Sequence, residues 1–240
     1  MYPVLFTIGS VNFYSYGLMA SLAFLATLAI TMKFAKDQNI YNEKILDKLL
    51  IMFLAGLIGA RISYFIMYYN QFTNWYDVFI PWQGALISYG GIIGVIIAAF
   101  VIFKKETFKW LDMIAVGFML GLFFWRMGCF LAGDHPQIAS SAFYAIKGEF
   151  PAILIESISG LVGFILFYNI YPKLKANYGL IFFLVILFYG VIRVFVDNFR
   201  VDAIYFGLRS GQIVGIILAI IGAVGIIALD IKKKRRKHDR

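Results

Sequence analysis

Apolar residues run through this chain in long blocks, not in the strict alternation of a half-buried strand. Seven stretches of about 20 mostly apolar residues, the length a helix needs to cross a hydrocarbon core, follow one another. They are Phe13 to Thr31, Leu49 to Tyr69, Leu86 to Phe103, Leu111 to Cys129, Ala152 to Tyr171, Tyr178 to Asn198 and Gln212 to Ile231. The pattern predicts an all-α integral membrane protein of seven transmembrane helices. It forms a single membrane domain over residues 1–231, followed by a basic tail, 232–240. No charged side chain occurs from Met1 to Met32. The basic start of a cleavable signal peptide is missing, and the first span is expected to be retained.

Composition agrees with lipid as the solvent. Hydrophobic residues make up 62% of the 240 positions and charged residues 15%, and the mean hydropathy is +0.82. A water-soluble globule has about a quarter of its residues charged. The net charge is +9, from 22 Lys and Arg against 13 Asp and Glu. A nucleic-acid partner is not expected, because the basic residues are dispersed in short clusters between apolar runs. One cysteine and two histidines leave no basis for a disulfide and little for a metal site, and no cofactor is implied.

The placement of the basic residues gives an orientation. The connection after the first span holds Lys33, Lys36, Lys44 and Lys48, that after the third Lys104, Lys105 and Lys109, and that after the fifth Lys173 and Lys175. The tail adds seven more, Lys232 to Arg240. Those sixteen contrast with three, Lys147, Arg200 and Arg209, in the alternate connections. Basic loops stay cytoplasmic, so the N-terminus is expected outside and the C-terminus in the cytoplasm.

Three arginines, Arg61, Arg126 and Arg193, remain inside the spans. A charge at the centre of a bilayer costs at least about 2.5 to 3.5 kcal/mol, and such residues usually face a polar interior. In the expected orientation all three lie at or beyond mid-span toward the outer side. Tyr14, Tyr16, Trp82, Ser88, Tyr89, Glu156 and Asp197 reach the same level, and Asp134 and His135 follow the fourth span directly. Together they outline an outward-facing chamber suited to a lipid with an anionic head group, since guanidinium groups hold phosphate by paired hydrogen bonds. Gly56, Gly59, Gly90, Gly91, Gly94 and the pairs Gly117/Gly121 and Gly211/Gly215 allow close helix packing, and Gly90-Gly91 would also admit a ligand near the backbone.

In order along the chain, these residues resemble the prolipoprotein diacylglyceryl transferase family. The resemblance rests on Phe6-Thr-Ile-Gly9 with Tyr14-Ser-Tyr16-Gly17, Gly59-Ala-Arg61-Ile-Ser-Tyr64, Trp82-Gln-Gly84, and Tyr89-Gly90-Gly91-Ile-Ile-Gly94. It continues through Arg126-Met-Gly128-Cys129-Phe130-Leu-Ala-Gly133-Asp134, Pro151 with Glu156, and Tyr189-Gly190-Val-Ile-Arg193 with Asp197, Phe199 and Arg200. The family usually has histidine at the position of Tyr89, asparagine at Cys129 and glutamate at Asp134. Where it has a His-Pro-Ser-Gln-Leu-Tyr-Glu stretch, this chain reads Phe150-Pro-Ala-Ile-Leu-Ile-Glu156.

The resemblance implies a multi-pass enzyme of the bacterial inner membrane. It would move a diacylglyceryl group from phosphatidylglycerol to the lipobox cysteine thiol in the signal-peptide region of exported prolipoproteins. The expected catalytic residues are Arg126, Arg193, His135, Asp134 and Tyr89. Tyr16, Arg61, Gly90, Gly91, Glu156, Tyr189 and Asp197 would bind substrate. The same buried charges would also suit a transporter or lipid-binding scaffold, or a lipid transferase with another acceptor. No two-fold internal repeat of the kind common in transporters is evident.

Overall fold

The computed structural model describes residues 2–9, 11–72, 74, 76, 87–133, 137–142, 145–146 and 148–238, with the side chains of 11, 71, 88 and 235–238 excepted. Its α-helices are α1 (Ser15–Asp37), α2 (Lys44–Met67), α3 (Ser88–Phe103), α4 (Thr107–Ala132), α5 (Ala152–Leu174), α6 (Leu180–Val196) and α7 (Ser210–His238). Six stretches among the described residues are long and apolar enough to cross a membrane. One of them, Tyr89–Ala132, has 44 residues and contains both α3 and α4. A 3-10 turn at Lys104–Glu106 separates that pair: Lys104 takes a φ of 47°, and the Thr107 hydroxyl donates to its carbonyl at 2.6 Å.

The chain is thus a helical membrane protein, with one correction to the all-α expectation. Two antiparallel hairpins flank the helices: β1 (Val4–Ile8) with β2 (Val11–Tyr14), and β3 (Ile204–Tyr205) with β4 (Leu208–Arg209). Phe13 and Tyr14, expected to open the first span, belong to β2. Their segment is rich in the β-branched and aromatic residues that favour strands. Helices also overrun the apolar blocks. α1 continues to Asp37 and α7 to His238, taking in most of the basic tail, because Lys and Arg are good helix formers and hydropathy marks only the part of a helix that meets lipid.

The chain divides into two compact units, Met1–Ala35 with Leu111–Arg240, and Lys36–Trp110. In the smaller unit α2 packs on α3 through small residues. A Cβ on Gly94 would enter the Ala55 carbonyl, and one on Gly56 would stand 2.9 Å from Val95. The larger unit is built in the same way. Gly117 and Gly121 of α4 meet Thr27 and Ala23 of α1, Gly160 of α5 meets the backbone of α4 at Phe123, and Gly190 of α6 meets Gly215 and Ala219 of α7. In lipid, where burial of apolar surface supplies little net attraction between helices, such close backbone approach supplies the packing.

One buried carboxylate holds the start of α6. Asp112, near the beginning of α4, is 2% exposed. It accepts hydrogen bonds from the Gly179 N–H at 2.6 Å and the Phe182 N–H at 2.7 Å. Gly179 has a φ of 92°, a left-handed turn that suits a residue without a Cβ, and its own segment offers no side-chain cap. Asp112 fills the capping role from another helix, next to the positive end of the α6 dipole.

Candidate functional site: a buried arginine–carboxylate cluster

Within the larger unit three helices converge on Glu156. It is the fifth residue of α5 and is fully buried. Arg126 of α4 places Nε 2.9 Å from its Oε1. Arg193 of α6 donates from Nη1 to both carboxylate oxygens at 3.2 Å. The Tyr189 hydroxyl, one turn earlier on α6, donates to Oε1 at 3.1 Å and accepts from Arg126 Nη2 at 3.4 Å. One carboxylate therefore holds two guanidinium groups and a phenol. Alone at zero exposure Glu156 would be prohibitively costly as an anion; two cations and a hydrogen-bonded hydroxyl make the charge tenable.

The cluster continues along α6 into the 3-10 turn Asp197–Phe199. Arg193 Nη2 lies 2.9 Å from Asp197 Oδ2, and Arg200 Nη1 lies 3.7 Å from Oδ1. Arg200 also meets Asp202 at 3.3 Å. Both Asp197 oxygens and the Nε atoms of Arg126 and Arg200 are buried and off hydrogen-bond geometry, so these pairs are held by charge more than by directed bonds. Arg209 of β4 donates from Nη1 to the Asp197 carbonyl at 2.7 Å and to that of Asn198. Gly211, second in α7, lies beneath: a Cβ there would collide with Asp197 Oδ2 and Arg193 Nη2.

The α4–α5 connection seals the same end. Gln137 pairs with Arg200 in an isolated bridge, and its Oε1 accepts from the Ile153 N–H at 3.0 Å, capping α5. Phe150 stacks on Phe199 with ring centroids 3.9 Å apart. This sets Glu156 one turn below a stapled helix start. Arg126, Arg193 and Arg200 face Glu156 and Asp197, and Arg209 and Asp202 add one charge of each sign, so the described cluster keeps one net positive charge. Arg126 is the more accessible of the two arginines on Glu156, 12% exposed against 6% for Arg193. A surplus positive charge in a water-poor setting can attract an anion, and a guanidinium can hold an oxyanion by paired hydrogen bonds.

Of the residues singled out in the sequence, the structure brings together Arg126, Glu156, Tyr189, Arg193 and Asp197. Tyr16, second in α1, stands edge-on to Trp125, the residue before Arg126, at 5.4 Å between ring centroids. Arg61, Tyr89, Gly90 and Gly91 belong to the smaller unit. There Arg61 is buried and lies over the rings of Tyr64 and Phe72 at 5.7 and 5.5 Å. Tyr89 is 39% exposed, and a Cβ on Gly90 would enter the Gly59 carbonyl. Asp134, His135 and Trp82 lie outside the described residues, as does the side chain of Ser88.

Sequence reasoning passed over Arg209 and Asp112, took Gly211 only as a packing glycine, and quoted Arg200 in the family pattern without a role in the site. Arg200 did leave a signal, since Arg193, Asp197 and Arg200 follow the i, i+4, i+7 spacing of one helix face. Arg209 left none, because its approach depends on the fold of the β3–β4 hairpin.

Residues 3–228 match the family model described as prolipoprotein diacylglyceryl transferase. Among curated proteins, the phosphatidylglycerol–prolipoprotein diacylglyceryl transferase of Finegoldia magna is 30% identical over 245 residues, covering 98% of each chain. Transferase 1 of that name from Clostridium perfringens is 31% identical over 260 residues, covering 99% of this chain and 98% of its own. The one from Wolbachia pipientis is 27% identical over 253 residues, with 96% of each covered.

Proposed function

Since the chain belongs to the prolipoprotein diacylglyceryl transferase family, we propose that its arginine–carboxylate cluster is where a diacylglyceryl group passes from phosphatidylglycerol to a lipobox cysteine thiol. The chain is a transferase of that family. The observation that carries the site assignment is the single net positive charge around buried Glu156, matched to a phosphodiester that carries one negative charge.

In the reaction the acceptor thiol loses its proton, and the sulfur attacks the glyceryl carbon joined to the phosphate. A C–S bond forms, the C–O bond breaks, and glycerol phosphate leaves with the electron pair. A thiol with a pKa of about 8.5 needs modest help to ionise; the leaving phosphate, gaining charge where water is scarce, needs more. Arg126, the more exposed of the pair, meets the phosphate first, and Arg193 joins it as the clamp. Glu156 aligns both guanidinium groups, which meet at its Oε1, while Arg193 also reaches Oε2. Asp197 fixes the other edge of Arg193. The base for the thiol comes from the segment after α4, with His135 ahead of Asp134, because imidazole titrates nearest neutral pH.

The chain does this as a single seven-span domain of the bacterial inner membrane, N-terminus outside. The cluster then lies in the outer half of the bilayer, where an exported prolipoprotein presents its signal-peptide region. Purified protein incubated with phosphatidylglycerol and a lipobox peptide is expected to lipidate the peptide. Arg126→Lys and Arg193→Lys, which keep the charge but lose the planar fork, should each lower the rate by about 100-fold or more. Near-parent rates in both variants would refute the clamp.

A further inference from the structure

The ten residues between the Asp197–Phe199 turn and α7, Arg200 to Arg209, form an exposed apolar element that sits on the charged cluster. Ile204 and Tyr205 of β3 are 65% and 55% exposed, and Phe206 at the tip is 102% exposed. Phe206 also has a φ of 53°, next to Gly207 at 81°. A bulky residue is disfavoured in the left-handed region, and the ring is not covered by any of the described residues. The base of the hairpin, by contrast, is fixed. Ser210 N–H donates to the Ala203 carbonyl at 3.0 Å, Gln212 Oε1 accepts from the Arg209 N–H at 2.9 Å, and Arg209 bonds the Asp197 carbonyl. A rigid base with a strained, unburied aromatic tip describes a finger shaped for something outside the chain.

We infer that the β3–β4 hairpin seats in the boundary between head groups and acyl chains of the bilayer and sets the depth of the arginine cluster relative to the lipid phosphates. Continuity selects the bilayer as occupant. The hairpin joins two apolar helices, each long enough to span, with only ten residues between Phe199 and Ser210, so its tip stays near the membrane surface. Tyrosine and phenylalanine beside arginine is the composition that such a boundary retains. The same end of the unit carries a second exposed apolar hairpin. In β1–β2, Phe6 and Phe13 stack at 4.6 Å between centroids while remaining 51% and 43% exposed, and the preceding Tyr2 N–H is tied to the Leu131 carbonyl at the end of α4. Two apolar fingers on one end suit a surface that extends around the protein better than a single partner.

The consequence for turnover rests on the function proposed above. The scissile bond of a phospholipid lies at head-group depth, and the finger base is linked through Arg209 to Asp197 and so to Arg193. Phe206→Cys labelled with an environment-sensitive fluorophore, in phosphatidylglycerol-containing vesicles, reads the seating without any catalysis. The parent protein, treated in parallel, corrects for labelling of buried Cys129, and Lys175→Cys serves as the aqueous reference. Nitroxide lipids with the spin label near the head group are expected to quench the label at 206 more than those labelled at the chain end, with iodide quenching well below the reference. Iodide quenching equal to the reference, or protection that appears only when a lipobox peptide is added, overturns the inference. Phe206→Asp should then slow transfer about tenfold in vesicles and leave it near the parent rate in detergent micelles, where no bilayer fixes depth. An equal loss in both media refutes the depth-setting role, whereas a parent protein with no transfer at all would refute the function and leave the quenching result standing.

Discussion

Glu156 decides the chemistry available to its neighbours. A carboxylate with no exposure between two guanidinium groups is worth little as net stabilisation, but removing it strands two buried cations. Glu156→Gln is therefore expected to destabilise the protein by about 3 to 5 kcal/mol, visible as a lower melting temperature in detergent, and to stop transfer. A melting temperature near the parent would mean that Arg126 and Arg193 do not depend on this group. Gly211→Ala tests the other edge. Its methyl would occupy the space of Asp197 Oδ2 and Arg193 Nη2, so Arg193 must rotate away; we expect normal insertion and at least about a tenfold loss of rate, by analogy with the displacement of a positioned group. Arg126, Glu156, Arg193 and Asp197 were legible in the sequence as charged residues where lipid should be. Which atoms pair was not, because Arg126, Glu156 and Arg193 are 30 and 37 positions apart and nothing in a hydropathy pattern encodes which face of one helix meets which face of another.

At the level of elements, helix ends carry as much of the design as helix faces. Asp112 caps α6 from α4, and Gln137 caps α5 from the loop before it. Asp112 lies 14 residues before Arg126, and Gly179 lies 14 before Arg193. At 1.5 Å per residue the capped end and the arginines are the same height apart on both helices, about 21 Å. The cap thereby sets the register in which α4 and α6 present their charges. Asp112→Ala leaves two amide groups without an acceptor and should cost about 1 to 2 kcal/mol, with faster hydrogen exchange at Gly179 and Phe182 than at the middle of α6; unchanged exchange would place the cap elsewhere. The apolar blocks foretold the helices well, because the demand for some 20 apolar residues leaves few alternatives. They were silent on the hairpins. Two-residue strands such as β3 and β4 have no periodicity to detect, and β1–β2 hides inside an uncharged segment that reads like the start of a span.

For the whole molecule, +9 is a sum over regions with different roles. In the proposed reading, the distribution of basic residues orients the chain and the surplus of one in the cluster belongs to the site. The orientation proposed from that distribution has a direct check. Ser141→Cys, in the connection after α4, should react with a membrane-impermeant thiol reagent in intact cells, and Lys175→Cys, after α5, only in permeabilised ones; the reverse result would invert the topology and place the cluster in the wrong leaflet for an exported acceptor. The arrangement around Glu156 also has a history written into its chain order. Arg126 emerges from synthesis first, Glu156 follows in α5, and Arg193 with Asp197 comes later in α6, while Arg209 and Gly211 arrive with the last helix. After α4 has entered the membrane, its guanidinium awaits a counter-charge; α5 supplies one carboxylate, and α6 then brings a cation and an anion together. If the helices enter in chain order, α5 and then α6 each meet a complementary charge already in the bilayer, and a chain released before α7 would hold the arginines without Gly211, which packs beneath Asp197 and Arg193.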